Sequence, residues 1–151
     1  MTTTKGEYSI TIDKEKFDLD IIHSFLTSSY WAEGISKEVI QRSINGSLCF
    51  GVFENDKTGL SAGKQIGFAR MITDQATFAY LADVFILEEY RGHGLSKWLM
   101  EVIMSHPGLQ GLRRMMLATR DAHGLYEKFG FVPLTNADRW MQIHDAGIYK
   151  R

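Results

Sequence analysis

The stretch Arg91-Gly92-His93-Gly94-Leu95-Ser96 follows an apolar run and opens an amphipathic one. A strand that turns through glycines into a helix is a place where an anion can sit. The first helical N–H groups have no internal partner, the helix dipole is positive there, and glycine lets backbone amides come close. The chemistry on offer is phosphate binding. The nucleotide signature GxxxxGK[ST] is absent, and after Gly92-x-Gly94 the third glycine of a dinucleotide fingerprint is replaced by Lys97. A plain strand-to-helix turn is the other reading that the turn alone leaves open.

Asp83 is the charged residue inside the apolar run TFAYLADVFIL, residues 77–87. A carboxylate in a buried strand must be paired or have its pKa raised. Cys49 lies between Leu48 and Phe50 and reads as buried filler. A single cysteine excludes an intramolecular disulfide and a CxxC site. His23, His106 and His144 show no H-x-x-x-H spacing, so no metal is expected.

Residues 91–96 resemble the [QR]-x-x-G-x-[GA] pyrophosphate loop of the GCN5-related N-acetyltransferase (GNAT) superfamily, with Ser96 where Gly or Ala is usual. Farther on, Ala122-His123-Gly124-Leu125-Tyr126-Glu127-Lys128-Phe129-Gly130-Phe131 resembles that family's second hallmark, A-x-x-L-Y-x-x-x-G-F. Thr119 stands where many members carry Asn. The resemblance is strongest over residues 77–134 and weak before residue 48.

What the resemblance implies is a fold, a co-substrate and roles. The fold would be a single-domain α/β structure over 1–151, a mixed, mostly antiparallel sheet splayed between two central strands and flanked by helices. The co-substrate would be acetyl-CoA, with direct acetyl transfer to an amine of a small molecule or peptide in a ternary complex. Backbone amides of Arg91, Gly92, His93, Gly94, Leu95 and Ser96 would hold the pyrophosphate. The backbone of Phe85 and Ile86 would pair with the pantetheine arm like an added strand, and Thr119 would lie nearby. Tyr126 matches the tyrosine that faces the CoA sulfur; a core tyrosine between Leu125 and Phe129 is its other reading. An amine near pKa 10.4 is mostly protonated at neutral pH, so a base is expected. Asp83 is the first candidate, its alternative being a structural acceptor for backbone or Arg donors; Asp74 and Glu33 stand behind it. Tyr30 and Trp31 would line the acceptor entrance or else pack in the core. Arg120, Asp121 and His123 would reach the cleft or cap a helix, Asp121 as N-cap. Arg91 would meet a phosphate or a local carboxylate. Homodimers are common in the family, which implies one here. A non-catalytic acyl-CoA-binding module and a domain binding another phosphate are the competing functions.

Positioning these groups takes strands at residues 8–12, 48–53, 64–72, 77–87 and 115–118. Final strands are expected at 131–134 and 139–143. The run 77–87 is nearly all apolar, as for a central strand covered on both faces. Helices are expected at 17–26, from Ser36 as N-cap with Ile35 and Ile40 as a hydrophobic staple, at 95–106 and at 122–129. The third of these carries Leu95, Trp98, Leu99, Val102 and Ile103 on one face. Gly130 closes the fourth. A turn-rich hairpin loop is expected over 55–63.

Composition sets the frame. The chain is 44% hydrophobic and 23% charged, which suits one globular domain rather than a disordered segment. With 17 basic against 18 acidic residues the net charge is −1, so no nucleic-acid partner is expected. No window approaches about 18 apolar residues, so no membrane span is expected. A cytoplasmic protein is the resulting expectation.

Overall fold

Strand-forming runs become a sheet only where neighbours take up their backbone groups. Here six segments do so among the described residues. A computed structural model describes residues 1–58 and 62–151. Its strands are β1 (Thr2–Lys5), β2 (Tyr8–Thr11), β3 (Leu48–Asn55), β4 (Ala62–Thr73), β5 (Phe78–Ile86) and β6 (Arg114–Leu117). They lie side by side in chain order, antiparallel except for the parallel pair β5–β6. The helices are α1 (Leu19–Thr27), α2 (Lys37–Asn45), α3 (Leu95–Ser105) and α4 (His123–Glu127). This is the expected α/β domain with a mixed sheet.

Two apolar cores cover the two faces. On one face Ile22, Leu26, Ile40 and Ile44 of α1 and α2 pack on Cys49, Phe68 and Phe85. On the other, Trp98, Leu99, Met100 and Ile103 of α3 pack on Phe50, Val52, Ile66, Met71 and Leu81. The caps follow sequence. Asp18 accepts from the Ile21 N–H, and Ser36 accepts from the Val39 N–H, each opening its helix. Ile35 and Ile40, at staple spacing, are both buried in the same core.

The sheet splays where the resemblance places a gap. Pairing of β5 with β6 runs from Phe78↔Arg114 to Leu81↔Leu117 and stops, while β5 continues to Ile86. Among the described residues, 82–86 therefore keep one backbone edge without a strand neighbour. On the opposite edge the register slips: Phe68 faces Phe85, but Arg70 faces Ala82. Two residues of β5, Asp83 and Val84, stand against one of β4. Asp83 takes φ 56°, the left-handed conformation. This is a β-bulge, and it reverses which face successive side chains meet. Leu81 enters the α3 core, whereas Phe85 enters the α1–α2 core. The expected two-sided cover thus holds for β5 at Ala79, Leu81, Phe85 and Ile86, and opens at Tyr80, Ala82, Asp83 and Val84, which are half-buried.

Three expectations are corrected. β1 is a strand that the polar sequence Thr2-Thr3-Thr4-Lys5 does not announce. Residues 131–134 and 139–143 are not strands. Pro133 brings no N–H to a ladder, the Phe131 N–H is spent on the Tyr126 carbonyl, and a 3-10 turn at Ala137–Arg139 diverts the chain. Asp121 does not cap α4; Thr119 Oγ1 accepts the Ala122 N–H at 3.0 Å instead. The loop expected over 55–63 lies in part outside the described residues.

Cys49 is fully buried in the α1–α2 core, and burial pushes its thiol up to about 12. A folded pKa raised above the unfolded value means that stability falls as pH rises from about 8.5 toward that value, because the unfolded thiol loses its proton first. Native protein at pH 8 should resist iodoacetamide over hours, and labelling should track unfolding in urea. Fast native labelling would contradict the packing.

Candidate active site

The turn after β5 is built to leave amides free. A 3-10 turn at Glu88–Tyr90 leads into Gly92 (φ 87°) and Gly94 (φ 74°). Gly94 is the N-cap of α3, and no side chain caps that helix. A Cβ on either glycine would meet nothing within 4 Å, so glycine is needed there for its backbone angles and not for space. The outcome is an exposed turn, residues 91–94, that leads into a helix whose first N–H groups have no side-chain cap. Leu95 is buried, which anchors the turn; Ser96 is half-buried, and His93 is exposed. Arg91 is tied to the turn twice: its Nε donates to the Ile86 carbonyl at 3.1 Å, and its N–H, expected on the pyrophosphate, is already spent on the Glu88 carbonyl at 3.1 Å.

A cleft of about 1010 Å³ adjoins this turn. Arg91, Asp83, Thr119, Tyr126, Tyr30 and Trp31 all line it. The splay therefore brings together residues spread over nearly a hundred positions of sequence. Phe85 and Ile86 keep their side chains in the two cores, leaving only main chain to offer. Thr119 lines the cleft while it holds the start of α4.

Asp83 is the best-connected group. Oδ2 accepts from Arg70 Nε at 2.8 Å, and Oδ1 accepts from the Trp31 indole N–H at 2.9 Å. Arg70 also donates to Ser47 Oγ at 3.2 Å. The Arg70 and Asp83 side chains are 16% and 9% exposed, so water screens this pair poorly. Two of roughly four lone-pair positions on the carboxylate are used. Arg70 and Ser47 were not singled out from sequence. Arg70 sits in an ordinary β4 stretch, and the signal that could have found it was the need of Asp83 for a cation across the hairpin.

Tyr126 closes the other wall. Its ring is 8% exposed and meets Phe131 edge-on at 6.0 Å. Burial, with Tyr30 and Asp121 nearby, pushes its phenol above the ordinary tyrosine value. It is at once a core residue and a cleft residue. At the mouth, Tyr30 and Trp31 meet at 5.0 Å, and the Arg120 guanidinium lies 3.9 Å above the Tyr30 ring, a cation–π contact. Phe25 stacks on Phe85 at 4.1 Å behind them.

Other candidates fall elsewhere. Asp74 accepts from the N–H groups of Ala76, Thr77 and Phe78 and from the Thr77 hydroxyl, which holds its carboxyl well below the usual range. It organises the β4–β5 turn and does not line the cleft. Glu33 pairs with Lys150 at 3.0 Å, also outside the lining. His106 Nδ1 accepts the Gly108 N–H in a turn. Among the described residues no cluster of His, Cys, Asp or Glu could hold a metal. No helix among them is long and apolar enough to cross a membrane.

Comparison with known proteins agrees with this fold. Residues 45–133 match the model of the acetyltransferase (GNAT) domain. A protein of Gibberella zeae, named as an acetyltransferase, is 34% identical over 141 residues, covering 83% of this chain and 78% of its own. A crystal structure of a GNAT-family protein from Xanthomonas campestris pv. campestris superposes with a TM-score of 0.90 at 44% identity, over 98% of this chain and 100% of that one. A Clostridium acetobutylicum protein crystallised with acetyl-CoA shares the fold alone, at 15% identity and a TM-score of 0.60, over 95% of this chain and 96% of its own. The glycine turn, the splay and the buried tyrosine are thus set in a familiar frame, and the chain belongs to the GNAT acetyltransferase family.

Proposed function

We propose that this acetyltransferase moves the acetyl group of acetyl-CoA to an amine of a small molecule or peptide by direct transfer. The observation that carries the reading is that Arg91, in the turn that leads to the uncapped N-terminus of α3, lines the same cleft as Tyr126 and Asp83. Acetyl-CoA would supply an activated thioester, and no residue need form a covalent intermediate. The amides of residues 92–96 bind its pyrophosphate, since the Arg91 N–H is held by the Glu88 carbonyl. The edge of β5 that lacks a strand neighbour, at Phe85 and Ile86, pairs with the pantetheine amides, the Ile86 carbonyl sharing its lone pairs with Arg91 Nε. The Tyr126 hydroxyl donates to sulfur as negative charge develops there. Asp83, which lines the cleft and keeps lone pairs that Arg70 and Trp31 do not use, takes the amine proton directly or through a water. Tyr30 and Trp31 flank the entering amine, with Arg120 at the rim. The aromatic pair suits an amine of modest size with apolar character.

A screen of amines with acetyl-CoA, read as thiol release, tests this. Acceptor-dependent release at several turnovers per minute supports it. Tight acetyl-CoA binding with no release for any amine would favour a binding module instead. The turn itself is tested by Gly94→Val. A side chain at φ 74° costs about 1–2 kcal/mol, and the turn relaxes by moving its amides off the phosphates. The Kd for acetyl-CoA, measured by calorimetry, should rise about tenfold, equal to ~1.4 kcal/mol, while the melting temperature falls by only a few degrees. An unchanged Kd would place the pyrophosphate elsewhere.

A further inference from the structure

Among the described residues, the guanidinium groups of Arg70, Arg91 and Arg120 line the cleft. The first two are engaged. Arg70 donates to Asp83 and Ser47, and Arg91 Nε donates to the Ile86 carbonyl. Arg120 differs. Its guanidinium lies 3.9 Å from the centre of the Tyr30 ring, and no described residue accepts a hydrogen bond from it or pairs with its charge. The ring contact holds the cation in place and leaves N–H donors for a planar acceptor.

This seat is fixed from both sides. Tyr30 and Trp31 stand in a turn pinned by the buried Ser29, whose hydroxyl donates to the Leu26 carbonyl at 2.7 Å and accepts the Ala32 N–H at 3.1 Å. Arg120 follows Thr119, whose hydroxyl holds the first turn of α4. Trp31 joins the cation's seat to the carboxylate. Its ring meets Tyr30 at 5.0 Å, and its indole N–H donates to Asp83 at 2.9 Å. Tyr30 and Trp31 remain 52% and 41% exposed, so ring surface stays open along a chain of contacts with Asp83 at one end and Arg120 at the other.

We infer that the acceptor is an amino acid with an apolar or aromatic side chain, its carboxylate held by Arg120 and its amine presented beside Asp83. This rests on the acetyl transfer proposed above and names its acceptor. A planar fork of donors matches a carboxylate. Asp121, exposed in the same lining, adds a negative charge that disfavours a phosphate dianion. The carboxylate stays outside the bonds that change. Nitrogen bonds to the acetyl carbon, the C–S bond breaks, one ammonium proton goes to Asp83, and a second ends on the CoA sulfur.

Calorimetry with CoA bound in place of acetyl-CoA reads the acceptor site without turnover, since no acetyl group is there to move. The probes are phenylalanine, leucine and methionine, each beside its C-terminal amide, near neutral pH. The acids should bind roughly tenfold more tightly than their amides, the scale of one charge-assisted fork. Arg120→Gln should erase that preference. Arg120→Lys, which keeps the charge without the fork, should restore part of it. If the guanidinium only packed on Tyr30, acid and amide would lose affinity alike and the preference would survive in Arg120→Gln, which would overturn the proposal. No binding of any acid, amides bound as tightly as acids, or phosphoethanolamine bound more tightly than all three acids would also overturn it. So would a comparable rise in the Kd for acetyl-CoA in Arg120→Gln, which would assign the guanidinium to the coenzyme. An intact acid preference without thiol release from acetyl-CoA for any amine would instead sink the acetyl transfer and leave the carboxylate site standing.

Discussion

Replacing Tyr126 with Phe should lower kcat for acetyl transfer about 100-fold, equal to ~2.7 kcal/mol of transition-state stabilisation, and leave the Kd for acetyl-CoA within about twofold. The split follows from where the hydroxyl acts. The ring is buried and packs edge-on against Phe131, contacts that Phe retains, so binding and fold persist. Full proton transfer is not its task. A thiol near pKa 8.5 is a stronger acid than a phenol near 10, which makes donation of the proton uphill by about 2 kcal/mol. Burial raises the phenol further and widens that gap. A hydrogen bond to the developing thiolate needs no such crossing, and it is stronger in a site that excludes water. Activity should stay flat from pH 7 to 9 as far as this residue is concerned, because a phenol held above its ordinary value stays protonated there. Steady-state kinetics with a saturating amine, beside calorimetry of acetyl-CoA binding, measure both quantities. A variant as fast as the parent would remove Tyr126 from the reaction and leave it a core residue.

Much of this site is legible because its parts are local. The glycine turn needs two positive φ angles a residue apart, and Gly92 and Gly94 announce them. The apolar face of α3 reads directly from its spacing, and Ser36 marks the start of α2. Tyr126 is legible through the motif around it. What escapes is non-local. The β5 bulge depends on register against β4, and one Asp in an apolar run does not say that it sits in the left-handed region. Arg70 and Ser47 become partners of the site only across the hairpin. β1 escapes because its residues are polar and β2 alone recruits it. The run 139–143 misleads in the opposite way, since strand propensity describes what a segment can do when a partner is offered. Thr119 sits on the expected cleft but spends its hydroxyl on α4, a use that family resemblance does not foretell.

Asp83→Asn should lower kcat/KM about 100-fold near pH 7, within the range of general-base effects. Its diagnostic is the shape of the pH profile. Without a base the reaction must draw on free amine, which at neutral pH costs about 4–5 kcal/mol for an acceptor of pKa near 10.4. Log kcat/KM should then climb by about one unit per pH unit toward that value, whereas the parent levels off earlier. Asn is the least disruptive replacement, because it tolerates the left-handed backbone at φ 56°. It can still accept from one of the two donors. It cannot neutralise Arg70, whose 16% exposure offers little water in compensation. Loss of a hydrogen bond to a charged group costs about 1.5–3 kcal/mol, so the melting temperature should fall even as the fold holds. That cost separates two roles for the carboxylate. If Asp83 only orients Arg70 and Trp31, the variant loses the same factor at every pH and its profile keeps the parent's shape. If Asp83 takes the proton, the deficit shrinks steadily as pH rises and the amine ionises without help. The two curves converge in one case and run parallel in the other, so the measurement assigns the proton acceptor independently of how much stability the substitution removes.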